Sequence, residues 1–276
     1  MTSGVLLRVR VTHVGLHNYI ELSAGTRARI VRGDELFAVL APVAPGTLRA
    51  SSTDDMMLLD PSGVVAQVAM PGYLYDRSTR VECIGVACDV YGIPINLARN
   101  AIASVPDPSL STPVIAVIGE RHLPGEPCRS ADIIRGLAQS GFNVASANLG
   151  NVQGCWKTLL LRNAGASHVL DLADVGHVSL VNKSPDELER IFNSLVGYLS
   201  NAGTEVIVID MEQDVFAEES VALLSLPGVA NRIGTIVLES KSASSSLLER
   251  DSLRALGYDV TMVDSPGVHP QYNRLI

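Results

Sequence analysis

Apolar and polar positions follow two different patterns along this chain. Through about residue 100 the apolar positions come in short alternating runs: Val5 to Val14, Ile20 to Leu22, Arg27 to Val31, Glu35 to Leu40, Val64 to Val68 and Val81 to Cys88. Ser23-Ala24-Gly25, Arg32-Gly33-Asp34, Ala44-Pro45-Gly46, Pro71-Gly72 and Asp76-Arg77-Ser78 punctuate them. Alternation with a period of two and frequent glycine or proline turns predicts closely spaced strands, hence a small sheet or barrel. Ala101 to Thr112 reads as a linker, so a β-rich domain over 1–105 is expected to precede a second domain over 112–276.

From Pro113 the pattern becomes continuous apolar runs joined by helical periods. Val114 to Ile118, Asn143 to Ala147, Val169 to Leu172, Val206 to Ile209, Ile233 to Leu238 and Val260 to Val263 read as strands. Uninterrupted apolar runs suit strands covered on both faces. Ser130 to Gln139 and Trp156 to Asn163 read as helices between them. The sharpest helix start is Ser184-Pro185-Asp186-Glu187, an N-cap serine, a proline at the first helical position and a capping-box glutamate. Leu188, Ile191, Phe192, Leu195 and Leu199 then share one helical face up to Ala202-Gly203. Strands alternating with helices predict an α/β fold, a three-layer domain with a mainly parallel sheet.

Composition narrows the function. The 276 residues are 47% hydrophobic and 18% charged, which is a packing composition. A net charge of −8, without a long Lys/Arg run, argues against sequence-independent nucleic-acid binding. Aromatic residues at 4% argue against a base-stacking surface. No apolar run reaches membrane-spanning length and no secretory leader is legible at the N-terminus. Cys83, Cys88, Cys128 and Cys155 lack metal-ligand spacing, and a reduced cytoplasmic setting is expected. His13 and His17 have helical ligand spacing, but their segment reads as strand and turn, so no metal site is expected.

Candidate chemistry begins after the first buried strand of the second domain. Val114 to Ile118 runs into Gly119, then Glu120-Arg121-His122-Leu123-Pro124-Gly125 and a helix. Strand, glycine, short loop, glycine and helix is the phosphate-cradling P-loop arrangement. Glu126 stands where that arrangement has lysine, and Pro127 and Cys128 stand at its hydroxyl positions. Two like charges about 4 Å apart cost about 4 kcal/mol at an effective dielectric of 20, and proline removes an amide donor. Arg121 and Arg129 could supply part of the lost positive charge. This degenerate loop is not expected to use magnesium-ATP. Asp210, with Glu212 beyond it, ends a strand where α/β sheets place ligands and where P-loop proteins keep an acid. Asp171, Asp174 and His177 lie at another strand end and could act as general acid or base. Cys128 near a helix start is a weaker nucleophile candidate beside Glu126.

Ile134-Arg135-Gly136-Leu137 through Gly141-Phe142-Asn143-Val144, Asn163-Ala164-Gly165-Ala166 and Asp171-Leu172-Ala173-Asp174-Val175-Gly176 follow in a recognisable order. Ser184 to Leu188 and Val208-Ile209-Asp210 leading to Glu219-Ser220 continue it. In this order the region from Pro113 to Gly267 resembles a bacterial P-loop family of unknown function that includes proteins named D-glutamate N-acetyltransferases. The resemblance implies a P-loop fold and nucleotide- or CoA-dependent acyl transfer. The chain departs from that family at Glu126-Pro127-Cys128, at Asn148-Leu149-Gly150 where lysine, threonine and glycine are usual, and at Asn163 in place of aspartate.

The expectation is therefore an enzyme of small-molecule metabolism on a repurposed P-loop scaffold. Glu126, His122, Asp174, His177 and Asp210 are the catalytic candidates, and Gly119, Arg121, Gly125, Arg129, Asn148, Asp171 and Glu212 the ligand-binding ones. The alternatives are a non-catalytic descendant that binds a ligand or protein, and an N-acyltransferase-like enzyme. A small-molecule ligand is the expected partner, without nucleic acid or membrane, and a homo-oligomer is left open.

Overall fold

The computed structural model describes residues 2–42, 56–67, 77–103, 112–119, 128–150, 154–212, 214–240 and 243–264. It divides into two compact units. The first comprises 1–106, 150–160 and 170–184, and the second 107–149, 161–169 and 185–276. The division is thus not a single cut near residue 110, because two later segments group with the N-terminal part.

In the first unit, β1 (Leu6–His13), β4 (Glu35–Leu40), β6 (Val64–Gln67), β5 (Met56–Asp60) and β7 (Arg80–Val86) form a closed barrel in that order. Alternation sends Leu7, Val9 and Val11 of β1 inward, where they pack with Ala38, Leu40, Met56, Leu58, Val65 and Val81. Each such side chain, once buried, contributes about 1.5–3 kcal/mol relative to exposure. Outward-facing Arg8 and Arg10 pair with Glu35, and Arg10 also with Glu82 at 3.2 Å. β2 (Tyr19–Glu21) and β3 (Arg27–Arg29) form a separate two-stranded ribbon. β5 was not expected: Met56-Met57-Leu58-Leu59 has no β-branched residue, and only pairing with β6 and β7 makes it a strand.

The second unit is an α/β fold around a six-stranded sheet. Its strands are β8 (Val114–Ile118), β9 (Val144–Asn148), β10 (His168–Leu170), β11 (Val206–Met211), β12 (Ile233–Ser240) and β13 (Val260–Asp264), in the order β10-β9-β11-β8-β12-β13. β8 pairs in parallel with β11 and β12, β9 with β11, and β13 with β12. All six side chains of β11 are buried, as its uninterrupted apolar run requires.

The helices between these strands along the chain are α1 (Arg129–Gln139), α2 (Cys155–Asn163), α3 (Pro185–Asn201), α4 (Glu218–Leu224), α5 (Pro227–Ala230) and α6 (Ala243–Ala255), and the first six residues of α2 group with the first unit. The foreseen face of α3 buries Leu188, Ile191, Phe192, Leu195 and Leu199. From β8 the chain steps past β11 to β9, and from β11 it steps past β8 to β12. Right-handed crossovers in opposite directions place helices on both faces, giving three layers and a topological switch at β8. Among the described residues no helix is long and apolar enough to cross a membrane.

Candidate functional site

Strand register brings several polar side chains to the carboxyl edge of the α/β unit. Asp210 of β11 is level with Asn148 of β9 and with Val117 of β8, and Val117 is level with Val237 of β12. Residues level across parallel strands share a face, and so do residues two apart on one strand. Asn148, Asp210 and Glu239 therefore lie on one face of the sheet, each at the end of its strand. They are 3%, 2% and 5% exposed, values rarely reached by acids outside a specific environment. Glu212, just past β11, is also buried.

The backbone stays laced together where the strands end. The Leu149 amide donates to the Asp210 carbonyl at 2.9 Å, and the Gly119 amide donates to the Met211 carbonyl at 3.4 Å. Gly119 leaves β8 pressed against β12. A Cβ built there would lie 3.0 Å from both the Cβ and the carbonyl oxygen of Glu239, and 3.6 Å from Glu239 Oε2. The glycine expected to open a phosphate loop is thus also required by packing.

The other sequence candidates are placed as follows. Arg121, His122, Gly125 and Glu126 lie outside the described residues. Arg129, in the first turn of α1, reaches Asp132 of the same helix at 4.0 Å. Cys128 is buried as the N-cap of α1 and makes no side-chain capping bond. Asp214 accepts a 2.8 Å bond from the Phe216 amide, an Asx turn leading into α4.

Asp171, Asp174 and His177 belong to the barrel unit, whereas Gly119, Arg129, Asn148, Asp210 and Glu212 belong to the α/β unit. Asp171 accepts from the Ala173 amide at 2.7 Å, and Asp174 accepts from the Asp171 amide at 2.8 Å. The His177 amide donates to the Leu172 carbonyl at 2.8 Å, and the Ile102 amide to the Asp174 carbonyl at 2.8 Å. Gly176, at φ +83°, is packed so closely that a Cβ would lie 2.6 Å from the Ala98 Cα. In this tight double turn, burial and then the Asp174 charge push the Asp171 carboxyl up to about 6, against the pull of the Ala173 and Asp174 amides. Asp171 is poised to exchange a proton near neutrality.

Among the described residues three buried charged side chains escaped the sequence reading: Asp60, Lys157 and Glu239. Glu239 follows the apolar run Ile233 to Leu238 just as Asp210 follows Val206 to Ile209, so the same strand-end criterion would have found it. Lys157, in the first turn of α2, is 2% exposed, with its ammonium 5.7 Å from the Trp156 ring centroid. Nearby, Glu21 accepts from the Trp156 amide at 3.3 Å. Among the described residues no group of three or more His, Cys, Asp or Glu side chains could hold a metal ion.

No protein-family model matches the sequence, and no curated protein matches it. Solved structures do. The kinase domain of an Escherichia coli tyrosine kinase aligns at 14% identity and TM-score 0.36, over 58% of this chain and 71% of that one. The signal recognition particle receptor FtsY of Elizabethkingia anophelis aligns at 12% identity and TM-score 0.38, over 56% of this chain and half of the receptor. A GTPase of Pyrococcus abyssi aligns at 14% identity and TM-score 0.34, over 60% of this chain and 72% of that one. At TM-scores below 0.5 these alignments carry no argument about what this chain binds or does.

Proposed function

We propose that this protein is a small-molecule enzyme whose ligand lies over the carboxyl ends of β8, β9, β11 and β12, and that it does not hydrolyse ATP. One observation carries the reading: Asn148, Asp210 and Glu239 are buried on one face of the sheet at its topological switch. Ligands of open α/β sheets bind outside this edge, where connections diverge to either side. Asp210 would act as general acid or base, and the Asn148 amide beside it would orient the reacting group by hydrogen bonding. Glu126 and His122, from the loop that follows Gly119, are the sequence's candidates to complete the site. The double turn of Asp171, Asp174 and His177 forms a separate candidate group in the barrel unit.

Calorimetry with ATP, GTP and acetyl-CoA, with and without magnesium, tests this reading. No binding up to millimolar ligand is expected for the wild type. Micromolar binding of any of the three would replace it with a nucleotide- or CoA-dependent transferase, the activity implied by the motif resemblance. A thermal-shift screen of phosphate-free metabolites should give a hit that Asp210→Asn abolishes.

A second reading, a non-catalytic protein binder, is favoured by one feature of the barrel unit. The turn Asp89 to Ile93 is pinned by Asp89, which accepts from the Tyr91 and Ile93 amides at 2.9 and 3.0 Å. It holds Val90 and Tyr91 out at 94% and 85% exposure. Failure of the screen, with Asp210→Asn otherwise inert, would favour this reading.

A further inference from the structure

We propose that the turn from Asp89 to Ile93 is a two-fold contact through which this protein pairs with a second copy of itself. The inference shares with the protein-binding reading only the premise that this turn meets a protein, and it holds whether or not the α/β unit is catalytic.

The turn is built before any partner arrives. The Asp89 amide donates to the Ile93 carbonyl at 2.9 Å and the Gly92 amide to the Asp89 carbonyl at 3.0 Å, while Asp89 Oδ1 accepts from the Tyr91 and Ile93 amides. Gly92, at φ +77°, supplies the left-handed residue this closure requires. What the turn displays is therefore fixed, and association loses little backbone freedom. It displays Val90 and Tyr91, with Ile93 at 45% exposure closing the turn. Tyrosine combines a large contact area with few rotatable bonds, which makes it an effective anchor.

Charge and area select a second copy as the occupant. Asp89 Oδ2 lies 3.4 Å from Arg99 Nη1, and the two side chains are 30% and 49% exposed, so one carboxylate and one guanidinium border the apolar tip. A two-fold contact sets a patch against itself, each residue meeting its counterpart's neighbour and the reverse. Here it places the Asp89 carboxylate of each copy beside the Arg99 of the other while the apolar tips meet. A border of one charge sign would repel its own copy. Scaled to a full aromatic side chain of roughly 150–250 Å² and to smaller aliphatic ones, Val90, Tyr91 and Ile93 expose on the order of 400 Å². Facing its copy, the tip buries about 800 Å² of apolar surface, short of the roughly 1,200 Å² of a stable interface. The pairing is therefore reversible, with a dissociation constant on the order of 10–100 µM.

Sedimentation velocity of the full chain, from micromolar to submillimolar concentration, tests this on wild type, Tyr91→Ser and Arg99→Glu. Circular dichroism establishes that each variant is folded, and Val90→Ser replaces Tyr91→Ser if that variant is not. The expected result is a wild-type monomer–dimer equilibrium that stops at the dimer, because a two-fold contact closes on itself. Tyr91→Ser and Arg99→Glu should each weaken it at least about tenfold, the first by removing the anchor and the second by facing carboxylates with carboxylates. A wild type that stays monomeric throughout overturns the proposal. So does assembly that grows past the dimer, which is head-to-tail, or a dimer indifferent to either substitution. A small-molecule hit that Asp210→Asn abolishes removes the non-catalytic reading and leaves the pairing standing, so the two failures are distinguishable.

Discussion

Replacing Asp171 with asparagine isolates the electrostatics of the double turn in the barrel unit. In the folded protein the Asp171 carboxyl ionises only near pH 6, against an ordinary value of 3.8. Its folded pKa lies above its unfolded one, so the unfolded chain gives up this proton first. Well below pH 4 both states are protonated and no penalty exists. As pH rises through the window from about 4 to 6 the fold loses stability, and above pH 6 to 7 the loss is constant. The gap between the two values corresponds to about 3 kcal/mol, an upper bound for this site. Asparagine cannot ionise, and its oxygen can still accept from the Ala173 amide. That bond becomes a neutral one, costing about 1 kcal/mol.

The variant should therefore be about 1–2 kcal/mol more stable than wild type at pH 8, and equal or slightly weaker at pH 4. Urea unfolding at pH 4, 5, 6, 7 and 8, followed by the fluorescence of Trp156, reports this directly. Trp156 is the single tryptophan and lies in the barrel unit, and the difference between variants cancels most other titrations. A stability difference that does not change with pH, or a variant less stable than wild type at pH 8, would refute the reasoning.

Two further substitutions test the packing. Gly15→Ala should cost more than about 2 kcal/mol in urea unfolding, because its Cβ would lie 2.2 Å from the Arg77 carbonyl oxygen and 2.4 Å from the Ser78 carbonyl carbon, backbone atoms that cannot swing aside. Gly33→Ala meets nothing within 4 Å and should cost only the strain of φ +95°, about 1–2 kcal/mol. In the α/β unit, Tyr258→Phe should cost about 1 kcal/mol by thermal melt, since the buried hydroxyl donates to the Leu224 carbonyl at 2.7 Å. An unchanged melting temperature would mean that carbonyl finds another donor.

The sequence by itself determined where the α/β fold lies and which polar residues close its strands. Continuous apolar runs such as Val206 to Ile209 suit strands covered on both faces, and the start signal Ser184 to Glu187 precedes a helix that begins at Pro185. These signals depend on near neighbours, so one stretch of chain is enough to read them. Asp210 and Asn148 were legible for the same reason, as polar residues closing such runs. Tertiary structure decided what depends on partners distant in the chain. Met56 to Asp60 becomes a strand because β6 and β7 supply its hydrogen bonds, and a closed barrel cannot be read from its strands one at a time. The segments 150–160 and 170–184 group with the barrel, which takes Asp171, Asp174 and His177 out of the α/β unit that the sequence assigned them to. Glu239 reaches Gly119, 120 residues earlier, only because β12 lies beside β8 in parallel register. Local pattern fixes whether a residue is inside or outside its element, but strand order and register decide which charges meet, and those are set by packing of the whole sheet.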